Sequence, residues 1–207
     1  MKTADLIKNS IEGGTIDILD SIHNNEVNIA IYNRNIHHLN FEIYQLLKRE
    51  ISLKVNGTTE NILNEIAQTI STENYNSLYT DIKNLLITFS NITGCTNFKL
   101  LLATVNTNMC KRFHMDFNSL RLLCTYSGPG TLWLTEDNIN REALNSNADN
   151  NSIVVNSNNI QQANTGDVII LKGANYGNQE SLGVVHRSPS IEETKFQRLI
   201  LRIDVVQ

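Results

Sequence analysis

The chain has 207 residues, 41% of them hydrophobic and 18% charged, with a formal net charge of −4. That length is enough for one domain with a sizeable core, and the acidic balance excludes the basic footprint of a nucleic-acid binder. Three cysteines, Cys95, Cys110 and Cys124, are odd in number and irregularly spaced. This fits reduced thiols rather than a disulfide framework. Residues 1–11 carry Lys2, Asp5 and Lys8 and no continuous apolar run, so neither a secretory signal nor a membrane span is expected, and a cytoplasmic location is.

In chain order, residues 3–49 read as mostly helical. The apolar run at 27–32 is suited to an edge strand, and residues 39–47 place apolar side chains at helical intervals. A second helix is predicted over 59–71, where Ile62, Leu63, Ile66, Ala67 and Ile70 form one stripe behind the hydroxyl-rich start Thr58-Thr59. A third is predicted over 75–92, with Leu78, Ile82, Leu85, Leu86 and Phe89 on one face. These stripes read as packing surface.

After Gly94 the helical period disappears. Strands are predicted at 98–105, through His114 and Asp116, at 119–126, at 131–134 beyond the turn SGPG of 127–130, at 152–155, 166–171, 182–186 and 196–206. Residues 138–151 read as a polar surface excursion with one helical turn at 141–144. Many short strands with no helices between them predict an antiparallel sandwich or barrel. The fold class expected is α+β: a C-terminal double-stranded β-helix, or jelly-roll, over 94–207, with an N-terminal helical layer over 1–93 packed on it.

The chemistry centres on His114-Met115-Asp116. In an extended strand His114 and Asp116 emerge on one side with Met115 turned away. His186, 72 residues later, is the candidate third ligand of a two-histidine, one-carboxylate site of the kind that holds iron(II) with open coordination positions. Cys110 suggests zinc instead, but its four-residue spacing from His114 suits two ligands on one strand poorly. In the last strand Arg198, Ile200 and Arg202 share one face, while Leu199, Leu201 and Ile203 share the other. Guanidiniums facing a barrel interior need an anionic partner, which a dicarboxylate cosubstrate would supply. A solvated arginine face is the alternative. Arg121 and Thr125 also share a strand face and are candidates to line the pocket. Trp133 reads as a plug of the barrel, and Arg187 and Ser188 as neighbours that orient the distal histidine.

The runs CKRFHMD at 110–116, LRLLCTYSGPGTLWL at 120–134, GDVIILKG at 166–173, VHRSP at 185–189 and RLILRID at 198–204 resemble a bacterial family of unknown function, number 1826. The likeness extends to VNIAIYNR at 27–34, where that family leads one to expect Trp in place of Tyr32. More remotely, the order His-x-Asp, distal His, Arg is similar to the iron(II)- and 2-oxoglutarate-dependent oxygenases. That resemblance implies His114, Asp116 and His186 as iron ligands and Arg198 on the distal carboxylate of 2-oxoglutarate, with Arg202 an alternative. The substrate, small molecule or protein, stays open. The stretch 173–182 before the distal His is longer than is usual there. Two other readings are a cupin-like metal protein without 2-oxoglutarate chemistry, linked to zinc handling, and a non-catalytic interaction module.

Overall fold

The computed structural model describes residues 10–70, 73–177, 183–192 and 196–206. In chain order it contains β1 (Ser10–Gly13), a 3-10 helix (Ile16–His23), β2 (Ile29–Tyr32), α1 (Asn40–Arg49), β3 (Ser52–Thr58), α2 (Thr59–Ile70), α3 (Asn76–Thr93), β4 (Asn97–Val105), β5 (Leu120–Ser127) and β6 (Leu132–Trp133). There follow α4 (Arg141–Asn145), α5 (Asn150–Ile153), β7 (Gln161–Gln162), β8 (Val168–Lys172), β9 (His186–Arg187) and β10 (Arg198–Val205). The fold is mixed α/β. A large sheet runs in the order β1-β2-β8-β5-β10-β4-β3, and a small one in the order β7-β6-β9.

The described part of residues 1–93 supplies the expected helices α1, α2 and α3 but is not helical throughout. It also contributes β1, β2 and β3 to the large sheet, with β2 inside it between β1 and β8 rather than at its edge. The physical reason is burial on both faces. Ala30 packs with the helices, whereas Ile29 and Ile31 pack with Trp133 and Ile169 on the opposite side. A strand covered on both faces reads as an unbroken apolar run. In β3, Leu53 and Val55 pack against the helical side, while Ser52, Lys54 and Asn56 alternate with them at exposed positions. Residues 3–9 and 71, parts of the predicted helices, and residue 182 of the predicted strand 182–186 lie outside the described residues.

The large sheet is therefore a divider. Towards α1, α2 and α3 it turns Leu122, Cys124 and Tyr126 of β5 and Leu199, Leu201 and Ile203 of β10. These meet Ile62, Ile66 and Ile70 of α2 and Leu78, Ile82, Leu85, Leu86 and Phe89 of α3. Each such side chain contributes about 1.5–3 kcal/mol by leaving water. Caps place the helices on this layer. Thr58 accepts from the Asn61 amide at 3.2 Å, and Glu42 of α1 accepts from the amides of Ser77 and Leu78 at 3.2 and 2.7 Å. Gly94, at φ 65°, ends α3 in the left-handed conformation that glycine adopts freely. A buried strut ties α3 to the sheet: Arg34 forks onto Asp81 at 2.5 and 2.9 Å and donates to the Gly166 carbonyl, and Tyr126 donates to Asp81 at 2.6 Å.

The other face of the large sheet carries the chemistry. Arg198, Ile200, Arg202 and Asp204 of β10 stand beside Arg121, Leu123 and Thr125 of β5. Trp133 is buried with Ile29, Ile31, Ile169 and Val184 between the sheets, as a plug would be. Of residues 152–155, predicted as a strand, Ser152 and Ile153 instead end α5 and Val154 is its C-cap. The Asp149 side chain caps the start of this helix by accepting from the Ser152 amide at 2.9 Å, and Val154 keeps only an isolated bridge to Ile139. Among the described residues no helix is long and apolar enough to cross a membrane.

Candidate metal centre

His114 and His186 are brought together by main chain. Each donates its amide to the other's carbonyl, at 3.1 and 3.0 Å, closing the sequence gap in one antiparallel bridge. β9 is in turn paired with β6, where His186 faces Trp133. The segment around His114 is a loop making this single bridge rather than the strand expected. Asp116 is turned back towards His114 by the Ala174 amide, which donates to its carbonyl at 2.8 Å. The side chains converge. His114 Nε2 is 3.7 Å from Asp116 Oδ1, His186 Nε2 is 3.3 Å from Asp116 Oδ2, and one donor atom from each residue lies within 4.8 Å of the other two.

Both rings are aimed by their far nitrogens. His114 Nδ1 is 2.9 Å from the Arg112 carbonyl and His186 Nδ1 is 3.0 Å from the Val184 carbonyl. A carbonyl can only accept, so each Nδ1 carries a proton and each Nε2 turns a lone pair towards Asp116. Burial holds His186 below the ordinary histidine value, down to about 4, which keeps it neutral and able to ligate. His114 is moved the other way, chiefly by contact with the Cys110 thiol. With both rings neutral, the two lone pairs and the carboxylate together would offer a metal ion three ligand atoms. That donor set, with imidazole nitrogen and one carboxylate oxygen, fits iron(II) and equally a zinc ion.

Asp116 is also held from the side. Arg121 forms an ion pair with its Oδ2 through a terminal nitrogen and, through Nε, donates to Asp204 Oδ1 at 2.5 Å. Asn118 donates to the same Asp204 oxygen at 2.9 Å, and Arg202 Nε is 3.1 Å from Oδ2. Asp204 and Asn118 were not singled out in the sequence. The available signal was that Asp204 shares the face of Arg198 and Arg202 at period two.

Arg198 is different. It is 3% exposed, donates to the Thr125 hydroxyl at 3.1 Å, and has no carboxylate partner among the described residues. Its Nε is buried without a hydrogen bond, and burial lowers the guanidinium to about 10. Gly128, at φ 79°, makes room for it: a Cβ there would lie 2.8 Å from Arg198 Cγ. Arg198, Thr125, His114, His186, Arg121 and Arg202 line one cleft that encloses about 500 Å³, part of it open to solvent.

Arg187 and Ser188 also border this cleft. The Arg187 guanidinium, however, lies 5.1 Å from the ring of Phe113, which packs with Val185 on the outer side of the small sheet. Ser188 donates its amide to the Cys110 carbonyl at 3.1 Å, which ties the two ligand segments together. Cys110 borders the cleft beside His114 but is outside the three-residue donor cluster.

Among solved structures, the chain is similar to the dioxygenase for auxin oxidation 1 from Arabidopsis thaliana in its 2-oxoglutarate complex. The TM-score is 0.53 at 12% identity, over 95% of this chain and 91% of that one. This likeness is one of fold. A Pseudomonas putida prolyl-4-hydroxylase (TM-score 0.47, 10% identity, 92% and 93% covered) and an oxygenase of Shewanella oneidensis (0.46, 14%, 94% and 88%) are weaker similarities. No curated protein matches in sequence. The family described as Protein of unknown function (DUF1826) matches residues 13–204, and with nearly the whole chain covered, the protein belongs to the DUF1826 family.

Proposed function

We propose that the chain is an iron(II)- and 2-oxoglutarate-dependent oxygenase that hydroxylates or demethylates a substrate. On this reading its two sheets are the walls of a double-stranded β-helix. One observation carries the proposal: Arg198, a buried guanidinium that meets no acid among the described residues, lines the same cleft as His114 and His186 of the donor cluster. A buried unpaired charge costs several kcal/mol. A simple metal binder leaves that cost unmet, whereas a dicarboxylate cosubstrate offsets it with a two-point contact.

His114, Asp116 and His186 would hold the metal. Iron held there would supply the oxygen activation that is coupled to decarboxylation of 2-oxoglutarate, a chemistry no side chain here can perform. The chain's own part is placement. Thr125 steadies one terminal nitrogen of Arg198, leaving the rest of the guanidinium to accept the distal carboxylate. Arg202 is the weaker candidate for that role, because Asp204 already answers its charge. Leu123 and Ile200 stand on the cleft wall between these polar groups and limit water.

The test is succinate formation by the purified protein supplied with iron(II), 2-oxoglutarate and air. Slow succinate release that needs both iron and oxygen supports the reading. Its absence, with metal bound and 2-oxoglutarate ignored, returns the chain to the cupin-like alternative.

A further inference from the structure

Among the described residues, Arg121 is the one cleft arginine whose charge is answered twice. Its place is fixed by the β5–β10 register, which sets it directly opposite Asp204. Asp204 cannot swing away, because one oxygen also receives Asn118 and the other lies beside Arg202. With its Nε committed to Asp204, Arg121 extends a terminal nitrogen to Asp116 Oδ2. The guanidinium is rigid, and the strand pair below it is rigid. Oδ2 of the central carboxylate, 3.3 Å from His186 Nε2, is therefore already paired with a fixed cation before any metal arrives, while Oδ1 lies on the side of His114, 3.7 Å from its Nε2.

We propose that Arg121 is a positioning residue that confines Asp116 to ligation through a single oxygen. This rests on the metal-centre reading above and deepens it. A carboxylate that chelates a metal through both oxygens takes two adjacent positions. With three single-atom ligands, roughly three positions stay open on a six-coordinate metal, enough for a chelating keto acid and for oxygen. A chelating Asp116 would leave one fewer and set cosubstrate and oxygen in competition. Arg121 thus acts on the number of open positions, through Asp116, without touching either reactant. Pure bracing of the fold is the competing account, and it makes the opposite forecast: loss of Arg121 loosens the ligand and weakens metal binding.

The experiment uses the full chain loaded with manganese(II), reading metal affinity and the number of exchangeable waters from water-proton relaxation. In Arg121→Ala the metal should bind within about threefold of wild type or more tightly, since a cation has been removed and Asp116 gains a second contact. The relaxation per bound metal should fall by roughly one third as one open position of three is lost. Arg121→Lys, which keeps the charge and one donor, should regain part of that loss, and it serves if the alanine variant does not fold. An unchanged water count in both variants overturns the proposal, as does a weakened metal with the count per bound metal unaltered. If wild type binds no manganese, the metal-centre reading falls first. Wild-type binding with unaffected variants leaves that reading standing and removes only this one.

Discussion

Arg198 and Thr125 form a buried hydrogen-bonded pair, 3.1 Å apart, on neighbouring strands of the large sheet, and no carboxylate among the described residues meets the arginine. Arg198→Ala should therefore weaken 2-oxoglutarate binding by about 2–5 kcal/mol, the usual loss for a desolvated charged contact. Metal affinity should change little. Arg198→Lys should recover only part, because an ammonium lacks the fork. Arg202→Ala, which removes a group already facing Asp204, should be milder. Calorimetric titration of each variant checks this, and a silent Arg198→Ala beside an inactive Arg202→Ala would exchange the two roles.

Removal of Asp116 should separate metal from fold. Asp116→Ala takes away the only anionic member of the donor cluster, so iron(II) and zinc titrations should show no tight site. Arg121 keeps Asp204, and the thermal unfolding midpoint should stay within a few degrees of the metal-free wild type.

The strut between α3 and the sheet predicts a large stability loss remote from the cleft. Asp81→Ala leaves the Arg34 guanidinium without its forked partner at a site where both side chains are mostly buried. Breaking such a pair costs about 3–5 kcal/mol, whereas Tyr126→Phe, which loses one hydrogen bond to Asp81, should cost about 1 kcal/mol. Urea unfolding curves measure both.

The thiols should differ in reactivity. Burial pushes Cys124 up to about 12, while Cys110 is exposed. Because the thiolate is the nucleophile, an alkylating reagent near pH 8 should modify Cys110 rapidly and Cys124 only at the rate of unfolding. Mass spectrometry of timed samples reads the order.

Much of the site was legible because strand alternation is strict. Arg198 and Arg202 against Leu199, Leu201 and Ile203 separated onto two faces as the period of two requires. His-x-Asp was legible for a less secure reason. The segment is a loop with one bridge, and His114 and Asp116 meet because the chain turns back, not because a strand aligns them. What the sequence hid was pairing. β3 carries the strand period over seven residues, Leu53 and Val55 alternating with Ser52, Lys54 and Asn56, but it sits between two helices and its signal was passed over. β1 is four residues long and joins β2 in parallel across an intervening helix, a relation that no turn motif announces. At 152–155 the β-branched residues suggested a strand, but Asp149 caps a helix that runs through Ile153 and only Val154 keeps a bridge. Asp204 was overlooked because a carboxylate at the end of a strand carries no signal until Arg121 is seen across from it.

The most direct test of the central claim is an anaerobic titration of iron(II) into the full-length protein with and without 2-oxoglutarate, together with the reverse titration. If Arg198 and the cluster of His114, Asp116 and His186 hold one chelate between them, each ligand should tighten the other by the same factor, as linkage requires. That factor should be at least about tenfold, or ~1.4 kcal/mol. Iron binding that is indifferent to saturating 2-oxoglutarate would contradict the account.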